Sequence, residues 1–192
     1  MPALENDQQR LFIGIPVSES ARVALSRQIP SFLPGKPSPL ENWHFTLRFI
    51  GNADPVQREK LIDNLRATSF GPAFEIEFET LGAFPNPRRS RVVWIGVGRG
   101  REFLEKIAEK AESAVVEAGF PAEPRKFSAH LTLSRLKHPE SIAEFLLKAQ
   151  KMHAAMQVKE VILYRSQMGS GHSRYTVIAR VPLEPEKRGA RQ

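Results

Sequence analysis

His44-Phe45-Thr46-Leu47 and His130-Leu131-Thr132-Leu133 are two copies of one short pattern, set in opposite halves of a chain of 192 residues. With five histidines and as few threonines, chance would place only about 0.1 His-x-Thr triplets in such a chain. The pair therefore marks a duplicated feature. In a strand, side chains alternate between faces, and residues two apart lie about 6.6 Å from each other on the same side. This spacing puts His44 and Thr46 on one face and Phe45, Leu47 and Phe49 on the other. It likewise puts His130, Thr132 and Ser134 in front, with Leu131 and Leu133 behind. Two strands that are apolar behind and polar in front imply a site where the two fronts meet.

Outward from the tetrads, the chain alternates between strand and helix patterns. Arg10–Val17 is an apolar run fit for a buried strand, and Ser18 caps a helix predicted to reach Phe32. Pro34–Pro39 follows as a loop. The first tetrad opens a strand over His44–Ile50, and Asp54-Pro55 is an N-cap with proline in the first turn of a helix to Ala67. Phe74–Phe84 and Arg91–Val97 form a predicted hairpin, and Arg101–Ala118 a helix stopped by Gly119. The second tetrad lies in the strand Ala129–Leu136, and Pro139–Lys151 is a further predicted helix. Val158–Tyr164 and Tyr175–Val181 are strands joined by the glycine-rich segment Gly169–Ser173. Both halves run strand, helix, tetrad strand, helix, which hints at pseudo-symmetry. Residues 1–183 are expected to form one bilobal domain, and 184–192 a basic, disordered tail.

Composition narrows the chemistry. There is no cysteine, so disulfides, thiolate nucleophiles and thiolate metal sites are excluded. No apolar run approaches the roughly 18 residues of a membrane span, and Glu5 and Asp7 sit where a signal peptide would be basic and then apolar. A cytoplasmic protein without a membrane partner is the expectation. The net charge of +7 favours polyanions such as RNA, DNA or small phosphates, although many soluble proteins are as basic.

Two imidazoles brought face to face can serve as proton donor and proton acceptor, because an ordinary histidine titrates near neutrality. Two adjacent hydroxyls can donate to non-bridging oxygens. That set suits a phosphodiester, where displacement needs a base at the entering oxygen, an acid at the leaving oxygen and donors for the equatorial charge. A strained 2′,3′-cyclic phosphate fits well. Zinc chemistry is disfavoured because no third ligand stands at helical His-x-x-x-His spacing. Gly98-Arg99-Gly100 lacks the Lys-Ser/Thr of a phosphate loop. His138, His153 and His172 have no threonine two residues on and are expected at the surface.

The tetrads resemble those of the two-histidine phosphoesterase superfamily, in particular the RNA 2′,3′-cyclic phosphodiesterases also called 2′-5′ RNA ligases. The likeness extends to Arg10–Ile13, Glu41–Gly51, Leu81–Pro85, Arg91–Trp94, His130–Arg135 and the closing Gly171–Leu183 with Tyr175. It implies an α+β, bilobal fold in which two antiparallel β-sheets flank a central cleft, with helices on the outer faces and one tetrad from each lobe. It implies hydrolysis of RNA or nucleotide 2′,3′-cyclic phosphates to 2′-phosphomonoesters, and a reverse ATP-independent ligation. Carried over by motif, His44 is the proton donor to the leaving 3′-oxygen and His130 the acceptor that activates water. Thr46, Thr132 and Arg135 would hold the phosphate. No cofactor and no metal are implied, and a monomer is expected. Two departures, Ala129 where proline is frequent and the bulky Trp43 and Phe45 where leucine is usual, touch packing or substrate entry.

Alternation bears on three further residues. It puts Arg135 on the face opposite His130, so a phosphate role there requires a bend. It puts Arg48 beside His44 and Thr46, where the alternatives are a phosphate contact and a structural ion pair. Phe12 is either core or a stacking surface for a base. The competing functions are a basic RNA-binding module without turnover, and a phosphodiesterase for another cyclic phosphate or a 2′-5′ oligonucleotide.

Overall fold

The computed structural model describes residues 8–149, 152–169 and 172–185. In chain order the elements are β1 (Gln9–Pro16), α1 (Glu19–Ser26), β2 (Lys36–Pro37), β3 (His44–Ala53), α2 (Pro55–Ala67), β4 (Phe74–Phe84) and β5 (Ser90–Val97). They continue with α3 (Arg101–Glu117), β6 (His130–Glu140), α4 (Ala143–Lys148), β7 (Ala154–Val158), β8 (Glu160–Gln167) and β9 (Arg174–Pro182). The strands order β7-β4-β5-β6-β3-β1-β8-β9, with β2 on the side of β6, and these strands pair antiparallel throughout.

The middle of that order is its narrowest point. β3 and β6 meet through the single pair Phe45↔Leu131, the second residue of each tetrad. On either side, β3-β1-β8-β9 and β6-β5-β4-β7 are laddered over many residues. The two sheets expected from the sequence are therefore present as two antiparallel lobes, and one backbone pair joins them into a continuous curled sheet. Phe45 and Leu131 are both buried, and Phe45 stacks on Phe78 with ring centroids 5.5 Å apart. The apolar backs of both tetrads thus enter one core, which also takes Leu104, Ile107, Ala108, Ala111 and Val115 from α3.

Local chemistry sets most element ends. Asp54 accepts from the Gln57 backbone N–H at 2.8 Å while the Gln57 side chain accepts from Asp54 N–H, a reciprocal cap that starts α2 at Pro55. Helix α1 ends at Ser26, short of the predicted Phe32. Pro30 explains this, since it has no N–H to give and disfavours helical backbone at Ile29. The loop Pro34–Pro39 contains the short strand β2. Strand β6 runs past Leu136 to Glu140, and Pro139 falls between the paired positions Arg135 and Glu140, where the ladder is interrupted. Only Ala143–Lys148 remains of the predicted helix Pro139–Lys151. Strand β7 was not separable in the sequence from the strand after it, because Lys159 alone divides them. Glu184 bonds through its backbone to Gly71 and Ala73, and residues 186–192 of the predicted tail lie outside the described residues.

Phe45→Ala should lower the free energy of unfolding by about 3–5 kcal/mol in urea melts, whereas Phe45→Leu, which keeps most of the volume, should cost under about 2 kcal/mol.

Candidate active site

Each tetrad begins its strand, so each histidine stands at the edge of the gap where the lobes diverge. Continuing the antiparallel register through Phe45↔Leu131 sets His44 abreast of Thr132 and Thr46 abreast of His130. All four side chains line one cavity of about 260 Å3, together with Phe49, Arg135, His172 and Tyr175. The structure thus brings together the four residues that the repeated motif singles out.

The two histidines are held alike. Nδ1 of His44 donates to the Asn42 carbonyl at 2.6 Å, and Nδ1 of His130 donates to the Ser128 carbonyl at 2.8 Å. In each case the acceptor lies two residues upstream, and the bond turns Nε2 toward the cleft. In the neutral ring the Thr46 hydroxyl donates to His44 Nε2 at 3.0 Å. Burial pushes the His44 imidazole down to about 4, with the Arg135 and His130 charges adding to the effect and the Asn42 bond opposing it. His130 is also lowered, first by burial and then by Arg135, against its bond to Ser128.

Strict alternation fails just after both tetrads, for one reason. Gly14 pairs with Thr46 but Ile13 pairs with Arg48, so Leu47 is an extra residue; Trp94 pairs with Thr132 but Val93 pairs with Ser134, so Leu133 is extra too. A bulge at the fourth tetrad residue exchanges the two faces over the residues that follow it. It brings Phe49 and Arg135, each five residues after its histidine, into the cavity.

Arg48 is turned the other way. Its Nε bonds Glu112 at 2.6 Å, Nη1 lies 3.5 Å from Glu123 and donates to the Phe49 carbonyl, and Nη2 donates to Pro121 O. It ties β3 to α3 and to the loop after α3, so of the two alternatives the ion pair is the one present. Ser134, also placed in front by alternation, is buried and bonds Pro34 O at 2.5 Å.

Phe12 is 1% exposed, which makes it the floor of the site and leaves no face for a substrate base. Its ring centroid lies 4.8 Å from His44, 4.9 Å from both Tyr164 and Tyr175, and 5.9 Å from Phe49. Gly14 makes room above it, since a Cβ there would stand 2.9 Å from Phe45 O and 3.3 Å from His44 Cδ2. On the other lobe Phe84 meets His130 edge-on at 4.8 Å, and Trp94 lies across Gly82, where a Cβ would overlap its ring at 2.3 Å.

A second cavity of about 560 Å3 adjoins the first on the His44 side, bounded by Arg22, Trp43, Tyr164, Arg174 and Tyr175, with His44 and His172 shared between them. Sequence patterns missed Tyr164 and His172. The signal for Tyr164 was the strand pairing that sets it opposite Phe12, and His172 is exposed, as expected, but at the rim of both cavities. His138 and His153 are exposed and line neither cavity.

A family model described as LigT like Phosphoesterase matches the chain twice, over residues 15–94 and 95–175. The chain belongs to this family. Each LigT-like match holds one tetrad, which makes the pseudo-symmetry a true internal repeat. The repeats are not the lobes: β4 falls in the first match but in the lobe of the second tetrad, and β8 in the second match but in the lobe of the first. Among relatives, an RNA 2′,3′-cyclic phosphodiesterase of Archaeoglobus fulgidus is 33% identical over 163 residues, 82% of this chain and 90% of that protein. One of Aeropyrum pernix is 38% identical over 112 residues, 58% of this chain and 63% of that protein. Among solved structures, Escherichia coli LigT complexed with 3′-AMP superposes with a TM-score of 0.77 at 26% identity, over 92% of this chain and 99% of that one.

The depressed His44 has a consequence for stability. The unfolded chain binds this proton near the ordinary value of 6.5 and the folded protein only near 4, so the unfolded state takes up more protons between those limits. The contribution is full above about pH 6.5 and is lost as pH falls toward 4. Urea melts at pH 7.5 and pH 5 should show a loss of about 2 kcal/mol that His44→Gln does not share.

Proposed function

We propose that this protein hydrolyses RNA and nucleotide 2′,3′-cyclic phosphates to 2′-phosphomonoesters by metal-independent catalysis with two histidines. The observation that carries the proposal is the convergence of two His-x-Thr faces on one cavity, each histidine held in the same tautomer by a backbone carbonyl. The relatives, RNA 2′,3′-cyclic phosphodiesterases by name, support the substrate class, and the family model supports phosphoester chemistry.

A phosphate in the smaller cavity would sit between the two Nε2 atoms, with Thr46 and Thr132 as hydroxyl donors and Arg135 as counter-charge. That space is the smaller of two adjoining cavities, and the nucleoside is placed in the larger one beside it. The larger cavity opens beside His44 and not beside His130. Both ester oxygens of a 2′,3′-cyclic phosphate belong to that nucleoside, so the leaving 3′-oxygen falls to His44 and the attacking water to His130.

The low proton affinity of His44 in the empty site points the other way, toward a base. The placement of the nucleoside carries more weight here. An anionic phosphate against Nε2 favours the imidazolium, and the Asn42 carbonyl at 2.6 Å is already set to stabilise it. After transfer of the His44 proton to the 3′-oxygen, His130 carries the proton taken from water, and exchange with solvent restores both.

Ligation is the same path with an RNA 5′-hydroxyl in the place of water, and it needs no ATP because the cyclic ester stores the energy. Both tetrads come from one chain, which supports action as a monomer. No helix among the described residues is long and apolar enough to cross a membrane, and a cytoplasmic setting suits a cysteine-free chain acting on RNA ends.

In EDTA, the wild-type protein should open nucleoside 2′,3′-cyclic monophosphates to 2′-phosphates. His44→Ala and His130→Ala should each lower kcat by at least about 10²-fold. Tight binding of cyclic-phosphate RNA with no product would instead favour a binding module. Release of 3′-phosphates would reverse the identity of the leaving oxygen.

A further inference from the structure

Of the two adjoining cavities, the larger is bounded by two arginines that the proposed chemistry does not use. Arg22 projects from α1 and Arg174 begins β9, and the two approach the cavity from different elements. Arg22 is half-buried. Among the described residues neither guanidinium has a hydrogen bond or an ion pair. This sets them apart from Arg48, Arg58, Arg99, Arg125 and Arg180, each of which lies on a carboxylate.

For Arg22, giving up part of its hydration without gaining a partner is unfavourable in the empty protein, and the cost is recovered when an anion arrives, while Arg174 is exposed and adds its charge to the same cavity. The charge of Arg22 is felt at Tyr164, where it opposes the upward push that burial gives the phenol. Tyr164 in turn lies with its ring centroid 6.1 Å from that of His44. The cavity also holds one carboxylate, Glu41, which is exposed at its rim. Its charge leaves the pair of arginines in excess.

We propose that Arg22 and Arg174 form a subsite for a second phosphate, the internucleotide phosphodiester on the 5′ side of the nucleotide that ends in the cyclic phosphate. This rests on the phosphodiesterase reading and on the nucleoside lying on the His44 side. From a ribose placed there, the chain toward the 5′ end continues within the cavity that both arginines line, which His130 does not reach. The 5′-hydroxyl of a mononucleotide brings no charge to this wall, whereas any longer RNA brings one phosphate monoanion. The cleft would therefore recognise an RNA end and not only its terminal nucleotide. The contact is between charge and backbone, so it carries no base preference.

The test compares three substrates at low salt: a nucleoside 2′,3′-cyclic phosphate, a dinucleotide ending in the same group, and that dinucleotide with an uncharged methylphosphonate linkage. For the wild-type protein, kcat/KM should be roughly tenfold higher for the dinucleotide than for the mononucleotide, chiefly through KM. The methylphosphonate should erase the advantage. Arg22→Gln and Arg174→Gln should each bring the ratio of dinucleotide to mononucleotide close to one, and added salt should shrink it in the wild type only. A ratio that is unchanged in both variants, or a methylphosphonate that reacts as fast as the natural dinucleotide, would overturn the subsite. Failure of the wild type to open any of the three would overturn the phosphodiesterase reading beneath it, and the subsite with it.

Discussion

The site depends on one backbone pair. Phe45 and Leu131 are the only register positions at which β3 and β6 meet in the described ladders, and both side chains are sunk in the main core. Every other strand of each lobe is laddered outward from that junction. A shift of one residue there would send one tetrad's histidine and threonine into the core and its apolar residues into the cleft. Burial of the tetrads' apolar backs therefore determines the relative position of their polar fronts. This explains why residues that touch no substrate are part of the repeated pattern.

A second constraint lies one step beyond. The bulges at Leu47 and Leu133 end the His-x-Thr alternation in both repeats and reverse the faces. The reversal installs an aromatic ring, Phe49, on one wall and a cation, Arg135, on the other. Equivalent positions of the repeat have diverged into an apolar and a charged role. Burial lowers the proton affinity of both histidines and Arg135 adds to the effect, so the empty cleft is poised to take up an anion and, with it, a proton.

Much of this was legible in the sequence because its causes are local. Period-two alternation, the Asp54-Pro55 cap and the helical spacing of α3 each act within a few residues. The tetrads were visible because they repeat. What escaped was set by partners distant in the chain. Arg48 alternates correctly with His44 and Thr46, yet the bulge carries it to Glu112 and Glu123. Arg135 was assigned to the wrong face by the same arithmetic. Phe12 could be core or a stacking surface in the sequence, and Tyr164 and Tyr175, from the far end of the chain, decide for the core by packing against it. The exchange of β4 and β8 between lobes has no local signature at all, since strand order is decided by the whole sheet.

A crystal structure of the protein with a nucleoside 2′-monophosphate bound would test the central claim most directly. The phosphorus should lie between His44 Nε2 and His130 Nε2, with both threonine hydroxyls and Arg135 on its oxygens, the nucleoside on the His44 side, and Arg48 still on Glu112. A phosphate held by one tetrad alone, or by Arg48 drawn away from Glu112, would contradict it.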